Sequence, residues 1–161
     1  MIFLNKKIRW KELILSLAIP LAVGGLSSLI TKDAMESFGA LRQPLLSPPA
    51  WMFPVVWTVL YLLMGLACYQ VVTSEASAPR RRRALTFYGL QLAANFLWSM
   101  LFFLLGLYLT AFLWILVLWL LIFVCTLLFY YIRSGAGKLM IPYILWVTFA
   151  VYLNLGIYLL N

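Results

Sequence analysis

The chain has 161 residues, is 66% hydrophobic and 10% charged, and has a mean hydropathy of +1.03. A soluble domain of this size has too little polar surface to cover such a composition in water. The formal net charge is +8 and histidine is absent, which removes the commonest metal ligand and the commonest general base together.

Five continuous apolar runs predict membrane-spanning helices at 13–30, 55–73, 85–107, 111–132 and 139–160. A span needs about 20 apolar residues. None of the runs alternates with period two, so a membrane barrel is rejected. No acidic residue falls inside any of them. The expected fold is an all-α membrane protein. It is a single domain over residues 1–161, a five-helix transmembrane bundle whose long first loop, 31–54, acts as a lid. The basic start of the chain resembles a signal sequence, but Thr31, Lys32 and Asp33 make no cleavage site, so the first run is read as a retained helix.

Charge predicts orientation. Lys6, Lys7, Arg9 and Lys11 precede the first span. Arg80, Arg81, Arg82 and Arg83 separate the second from the third, and Arg133 and Lys138 the fourth from the fifth. The opposite side carries only Lys32 and Arg42. The positive-inside rule places the N-terminus in the cytoplasm and the C-terminus outside a bacterial inner membrane. These cations hug membrane ends, so anionic lipid head groups explain them and nucleic acid does not.

The first span carries Gly24 and Ser28, a small pair one turn apart that admits a neighbouring helix, and Pro20, which invites a kink. The loop holds Pro44, Pro48, Pro49 and Pro54. A connection this long is more often functional than idle. Its apolar stretch 45–51 should fold back over the outer end of the bundle, with Trp51 at the interface or inside the mouth. The second span places Trp57 and Tyr61 on one face. The third aligns Asn95, Trp98, Ser99 and Phe102 in one stripe. Gly89 and Ala93 lie off that stripe and suit a homodimer face. The fourth span offers Trp114, Trp119, Cys125 and Thr126 among aliphatics. The fifth aligns Trp146, Ala150, Leu153 and Asn154.

An amide facing lipid is costly, so Asn95 and Asn154 should point inward. Asn95 serves either as helix glue or as a ligand contact; Asn154 reads as glue. Trp10 and Trp114 suit an interfacial belt, while Trp98 lies too deep for one. Cys68 and Cys125 fall inside spans, form no CxxC pair and read as small buried residues.

Three segments together spell a known pattern. Ser47, Pro48, Pro49, Ala50 and Trp51 lead into Phe53, Pro54, Trp57, Thr58 and Tyr61, followed by Met64 and Gly65. Gln91, Leu92, Asn95, Trp98 and Ser99 precede Phe102 and Phe103. Pro142, Tyr143, Trp146 and Ala150 precede Tyr152, Leu153 and Asn154. In order and spacing, residues 12–161 resemble the translocator protein family, also called tryptophan-rich sensory protein, TspO/MBR or peripheral benzodiazepine receptor. The resemblance implies five helices around a ligand pocket closed by the first loop, usually as a homodimer. It implies binding of porphyrins such as protoporphyrin IX, and of benzodiazepine-site ligands such as isoquinoline carboxamides. The matching pocket positions are Trp57, Tyr61, Asn95, Trp98, Phe102, Trp146 and Ala150, with Pro48, Pro49 and Trp51 in the lid. Flat tetrapyrroles want aromatic walls, a few donors and no water. No cofactor and no metal are expected.

Three departures stand out. Leu46 occupies a loop position where the family usually has Trp, which puts any reaction needing that indole in doubt. No acidic residue follows Glu75, so a carboxylate of the fourth helix cannot be carried over. The C-terminus lacks the Lys or Arg of a cholesterol-recognition stretch, so a steroid role is unsupported. Three functions compete: a membrane receptor or sensor for porphyrin-like amphiphiles, a light-dependent porphyrin-degrading enzyme, and a tetrapyrrole or lipid transporter. Ordinary catalysis has no general acid, nucleophile or metal site in the spans. Transport has no ionisable residue in a span to couple to.

Overall fold

The computed structural model describes residues 7–161. Lys6, counted above among the basic residues, lies outside the described residues. The helices are α1 (Trp10–Thr31), α2 (Ala34–Gly39), α3 (Met52–Val72), α4 (Ala78–Ser99), α5 (Tyr108–Ile132) and α6 (Ser134–Leu160); α4 runs on as a π-helical turn, Met100–Leu104. Among the described residues, α1, α3, α4 with its π turn, α5 and α6 are long and apolar enough to cross a membrane.

All five spanning helices start before their apolar runs, α4 and α6 by the most. Ser77 is extended and Pro79 sits in the first turn, so α4 begins at Ala78 and takes Arg80, Arg81, Arg82 and Arg83 into its opening turns. Arginine is a good helix former and keeps its head in water while its stem covers apolar surface. At the other connection only Arg133 leaves helical geometry, with φ −153° and ψ 116°, so α6 begins at Ser134. Pro142 therefore lies inside α6, as Pro20 lies inside α1.

The helices form a ring in the order α1, α3, α6, α5, α4, and α4 returns to α1. Glycine permits a close seam between α3 and α1. A Cβ on Gly65 of α3 would lie 2.8 Å from the carbonyl oxygen of Ser16 and 2.9 Å from Cα of Leu17, both α1 backbone. Indole donors tie α5 to its neighbours. Trp119 Nε1 donates to Thr148 Oγ1 on α6, and Trp114 Nε1 donates to the Ala94 carbonyl on α4, each at 2.8 Å. Trp114, expected in a lipid belt, spends its polar end on the bundle.

Met64, Ile115, Leu118, Ile122, Phe129, Met140 and Tyr143 fill the centre, while Leu29, Leu113, Leu120, Leu145 and Leu159 cover the outside. In water such a coat would aggregate; in lipid it is solvated. Buried polar groups are paired. Tyr143 Oη donates to Gln91 Oε1 at 2.8 Å, and Gln91 Nε2 donates to the Met64 sulfur at 3.8 Å. Tyr88 Oη is the exception among the described residues; its ring stacks on Phe129 at 5.6 Å.

The two ends are distinct. At one, the Arg9 backbone N–H donates to Tyr69 Oη at 3.2 Å. At the other, Asn161 caps the first loop: its Oδ1 accepts from Arg42 N at 2.9 Å and its Nδ2 donates to Arg42 O at 3.0 Å.

Candidate ligand cavity

A cavity of about 340 Å³ opens at the loop end of the bundle, bounded by α1, α3, α4 with its π turn, α6 and the first loop. No residue of α5 lines it. The helix α3 supplies Phe53, Trp57 and Tyr61, which recur every four residues and so share one face. From α4 come Trp98 and Ser99, and from the π turn Phe102 and Phe103. The wider π turn brings two consecutive phenylalanines to one wall; such turns recur at functional sites. The helix α6 adds Trp146, Ala150, Leu153 and Asn154, and α1 adds Gly24, Ser27, Ser28 and Thr31.

The walls are aromatic and mutually braced. Trp57 lies 5.6 Å from Tyr61 and 6.3 Å from Trp98, and Trp98 stacks on Phe102 at 5.6 Å. Gly24 is what lets Tyr61 reach α1, because a Cβ there would meet the Tyr61 ring at 2.3 Å.

Trp57, Tyr61, Trp98, Phe102, Trp146 and Ala150 thus come together in one lining. Asn95 stands behind it. This side chain is 1% exposed and its Nδ2 donates to Tyr61 Oη at 3.1 Å. Asn154 does reach the cavity, but its amide is engaged: Oδ1 accepts from Trp98 Nε1 at 3.1 Å and Nδ2 donates to Ala150 O at 2.8 Å.

The loop meets the cavity through residues other than those the sequence suggested. Pro48, Pro49 and Trp51 do not line it, and Trp51 is 66% exposed. Lys32, Met35, Phe38, Gln43 and Ala50 do. Phe38, on the short helix α2, packs against Phe53, Phe102 and Phe103 at 6.2, 5.7 and 5.5 Å. The only hint in the sequence was two apolar residues, Met35 and Phe38, three apart in a polar stretch. Leu46, where the family pattern has Trp, takes a left-handed φ of 67°, is 82% exposed and does not line the cavity.

The loop is fastened across α6. Pro44 covers Gly156, where a Cβ would come within 2.5 Å of the proline ring, and Tyr152 Oη donates to the Leu45 carbonyl at 2.6 Å.

A helical membrane bundle around an aromatic cavity is the class of protein this geometry defines. Comparison with known proteins places it further. The TspO/MBR family profile matches residues 16–160. The chain is 39% identical to a tryptophan-rich sensory protein of Cereibacter sphaeroides over 126 residues, 78% of this chain and 77% of that one. It is 35% identical to the tryptophan-rich protein TspO of Chlorobaculum tepidum over 159 residues, 98% and 99% of the two chains. It is 30% identical to the translocator protein of Homo sapiens over 141 residues, 80% and 76%. The chain belongs to the TspO/MBR family and is a multi-pass integral membrane protein.

Proposed function

We propose that this protein is a membrane receptor that binds porphyrins, protoporphyrin IX among them, and benzodiazepine-site-type aromatic ligands inside the bundle. The cavity carries this reading: three indoles, Trp57, Trp98 and Trp146, converge on one apolar space. Ligand sites are typically clefts of about 300–1,000 Å³ with apolar walls and a few oriented polar groups. At about 340 Å³, the cavity suits a drug-sized aromatic as it stands. A tetrapyrrole requires the loop side to give way, which makes residues 31–54 a lid. The same indoles support a second reading, light-dependent porphyrin degradation, in which the aromatic walls supply electrons to the excited ligand. The charge asymmetry supports an N-terminus in the cytoplasm of a bacterial inner membrane.

Ligand titration by tryptophan fluorescence tests the receptor reading. Trp57→Ala and Trp146→Ala each empty a wall and should weaken an isoquinoline carboxamide or protoporphyrin IX by at least about tenfold. Leu116→Ala, on α5 away from the cavity, should change little. Equal weakening by all three would place the ligand elsewhere. Illumination with protoporphyrin IX separates the second reading: porphyrin loss above that of the free pigment, abolished by Trp98→Phe, makes the protein an enzyme.

A further inference from the structure

The arginine end of the bundle, opposite the ligand cavity, carries a second concavity. It is a groove of about 500 Å³ on α4, lined by Ala78, Pro79, Arg82, Arg83, Thr86 and Phe87. These residues recur in pairs every four positions, so the groove follows one face of the helix. The four arginines of this run do different things. Arg81 turns back onto the connection that follows α3, where its guanidinium donates to the carbonyls of Ser74 at 3.3 Å and Ala76 at 3.5 Å. Arg80 is exposed and does not line the groove. Arg82 and Arg83 are exposed and line it, and among the described residues neither guanidinium has a hydrogen-bond or ion-pair partner. The carboxylates at this end are not free to serve them: Glu12 pairs with Arg9, and Glu75 also has a partner.

We propose that this groove binds the head group of one anionic phospholipid from the leaflet on the arginine side, with Arg82 and Arg83 reading its phosphodiester. The groove crosses the same boundary that such a lipid crosses. Arg82 and Arg83 stand just ahead of the apolar run that begins at residue 85, and Phe87 stands inside it. Guanidinium forks match phosphate oxygens in pairs, and a guanidinium is more weakly hydrated than an ammonium. Thr86 Oγ1 donates to the Arg82 carbonyl at 2.9 Å, which leaves the two guanidiniums as the free side-chain donors of the groove. Below them Phe87 offers an apolar floor for the first carbons of an acyl chain. A soluble anion would use the cations and leave Phe87 idle; a phospholipid uses both. A basic run kept only for topology would weigh all four arginines alike. The lipid site does not depend on what the ligand cavity holds.

The experiment uses the full chain in a neutral detergent. Native mass spectrometry measures dissociation constants for dioleoyl-phosphatidylglycerol and dioleoyl-phosphatidylcholine, which share their chains and differ in net charge. Each arginine that meets a lipid head group contributes about a fivefold change in binding. Wild type should therefore retain one phosphatidylglycerol per chain, at least about tenfold more tightly than phosphatidylcholine. Arg82→Gln and Arg83→Gln should each weaken phosphatidylglycerol about fivefold and leave phosphatidylcholine unchanged. Arg80→Gln removes the same charge from outside the groove and should change binding by less than about twofold, because an exposed charge away from the ligand is screened. Glycerol 3-phosphate, which has the phosphate without the chains, should not displace the lipid at equal concentration. No head-group preference in wild type, or equal losses from Arg80→Gln and Arg82→Gln, reduces the run to a general basic belt and overturns the site. Displacement by glycerol 3-phosphate overturns the lipid in favour of a soluble anion.

Discussion

Tyr61 stands at the boundary between cavity and core. Its ring faces Trp57 and α1, while its hydroxyl accepts from Asn95. Asn95 thus pairs with Tyr61 and does not itself line the cavity. The two side chains form one buried pair, and breaking it leaves an unsatisfied polar group at a cost of about 1–3 kcal/mol. Asn95→Leu and Tyr61→Phe should each destabilise the protein, and the double variant should lose less than the sum. A coupling of about 0.5–3 kcal/mol in detergent unfolding is expected for contacting residues. Additive losses would show that the hydrogen bond contributes nothing. The residue types were legible in advance, because an amide in hydrocarbon has to face inward. Whether Asn95 met a ligand or a neighbour was not legible: both choices satisfy the same stripe, and only the position of Tyr61 across the seam decides.

At the scale of elements, the spans were readable from apolar length alone, but their ends were not. Apolarity stops at residue 85, whereas the helix α4 continues back to Ala78 because arginine tolerates the helix and the interface equally. The π turn Met100–Leu104 and the short helix α2 carry no periodic signal of their own. They depend on what they pack against, the phenylalanine cluster of Phe38, Phe102 and Phe103. One place where the loop is held is the seat of Pro44 on Gly156 of α6. A methyl group at Gly156 would press into that proline ring, which cannot flex away, so Gly156→Ala should lift the lid and speed ligand release several-fold. Gly25→Ala, whose Cβ meets nothing within 4 Å, is the matched control. Stopped-flow release rates that stay equal in the two variants would show that this contact does not close the cavity.

For the whole molecule, the ends of the bundle carry the topology. Ser77 precedes α4 and Ser37 lies on α2, both exposed and on opposite ends. Cys68 and Cys125 are buried and can be replaced to make a cysteine-free background. Cysteines placed at Ser77 and Ser37 should then label from opposite sides, with Ser37 reached from outside intact cells. Labelling of the Ser77 site from outside would reverse the orientation. Assembly is a second property at this scale. Gly89 and Ala93 lie exposed on α4, away from the cavity, and a Cβ on Gly89 would meet nothing within 4 Å. A second copy could approach closely there. Ala93→Phe should convert a dimer to monomer in mild detergent; an unchanged mass by light scattering would move the interface elsewhere.

Composition by itself determined the solvent of this protein, because five apolar segments with no carboxylate have nowhere to go but lipid. Helical period then determined which face of three spans turns inward, since Trp57 and Tyr61, Trp98 and Phe102, and Trp146 and Ala150 recur at helical spacing. Only the tertiary structure decided which of those inward groups meet a cavity and which meet each other. Asn95 and Asn154 look alike in the sequence, yet one is sealed behind Tyr61 and the other reaches the lining. The placement of the first loop was decided the same way. Phe38 and Lys32 enter the site, and Trp51 does not, because the fold of a proline-rich loop is set by the surfaces it lands on. A local period records the direction of a side chain from its own axis; it holds no information on the distance to the next helix.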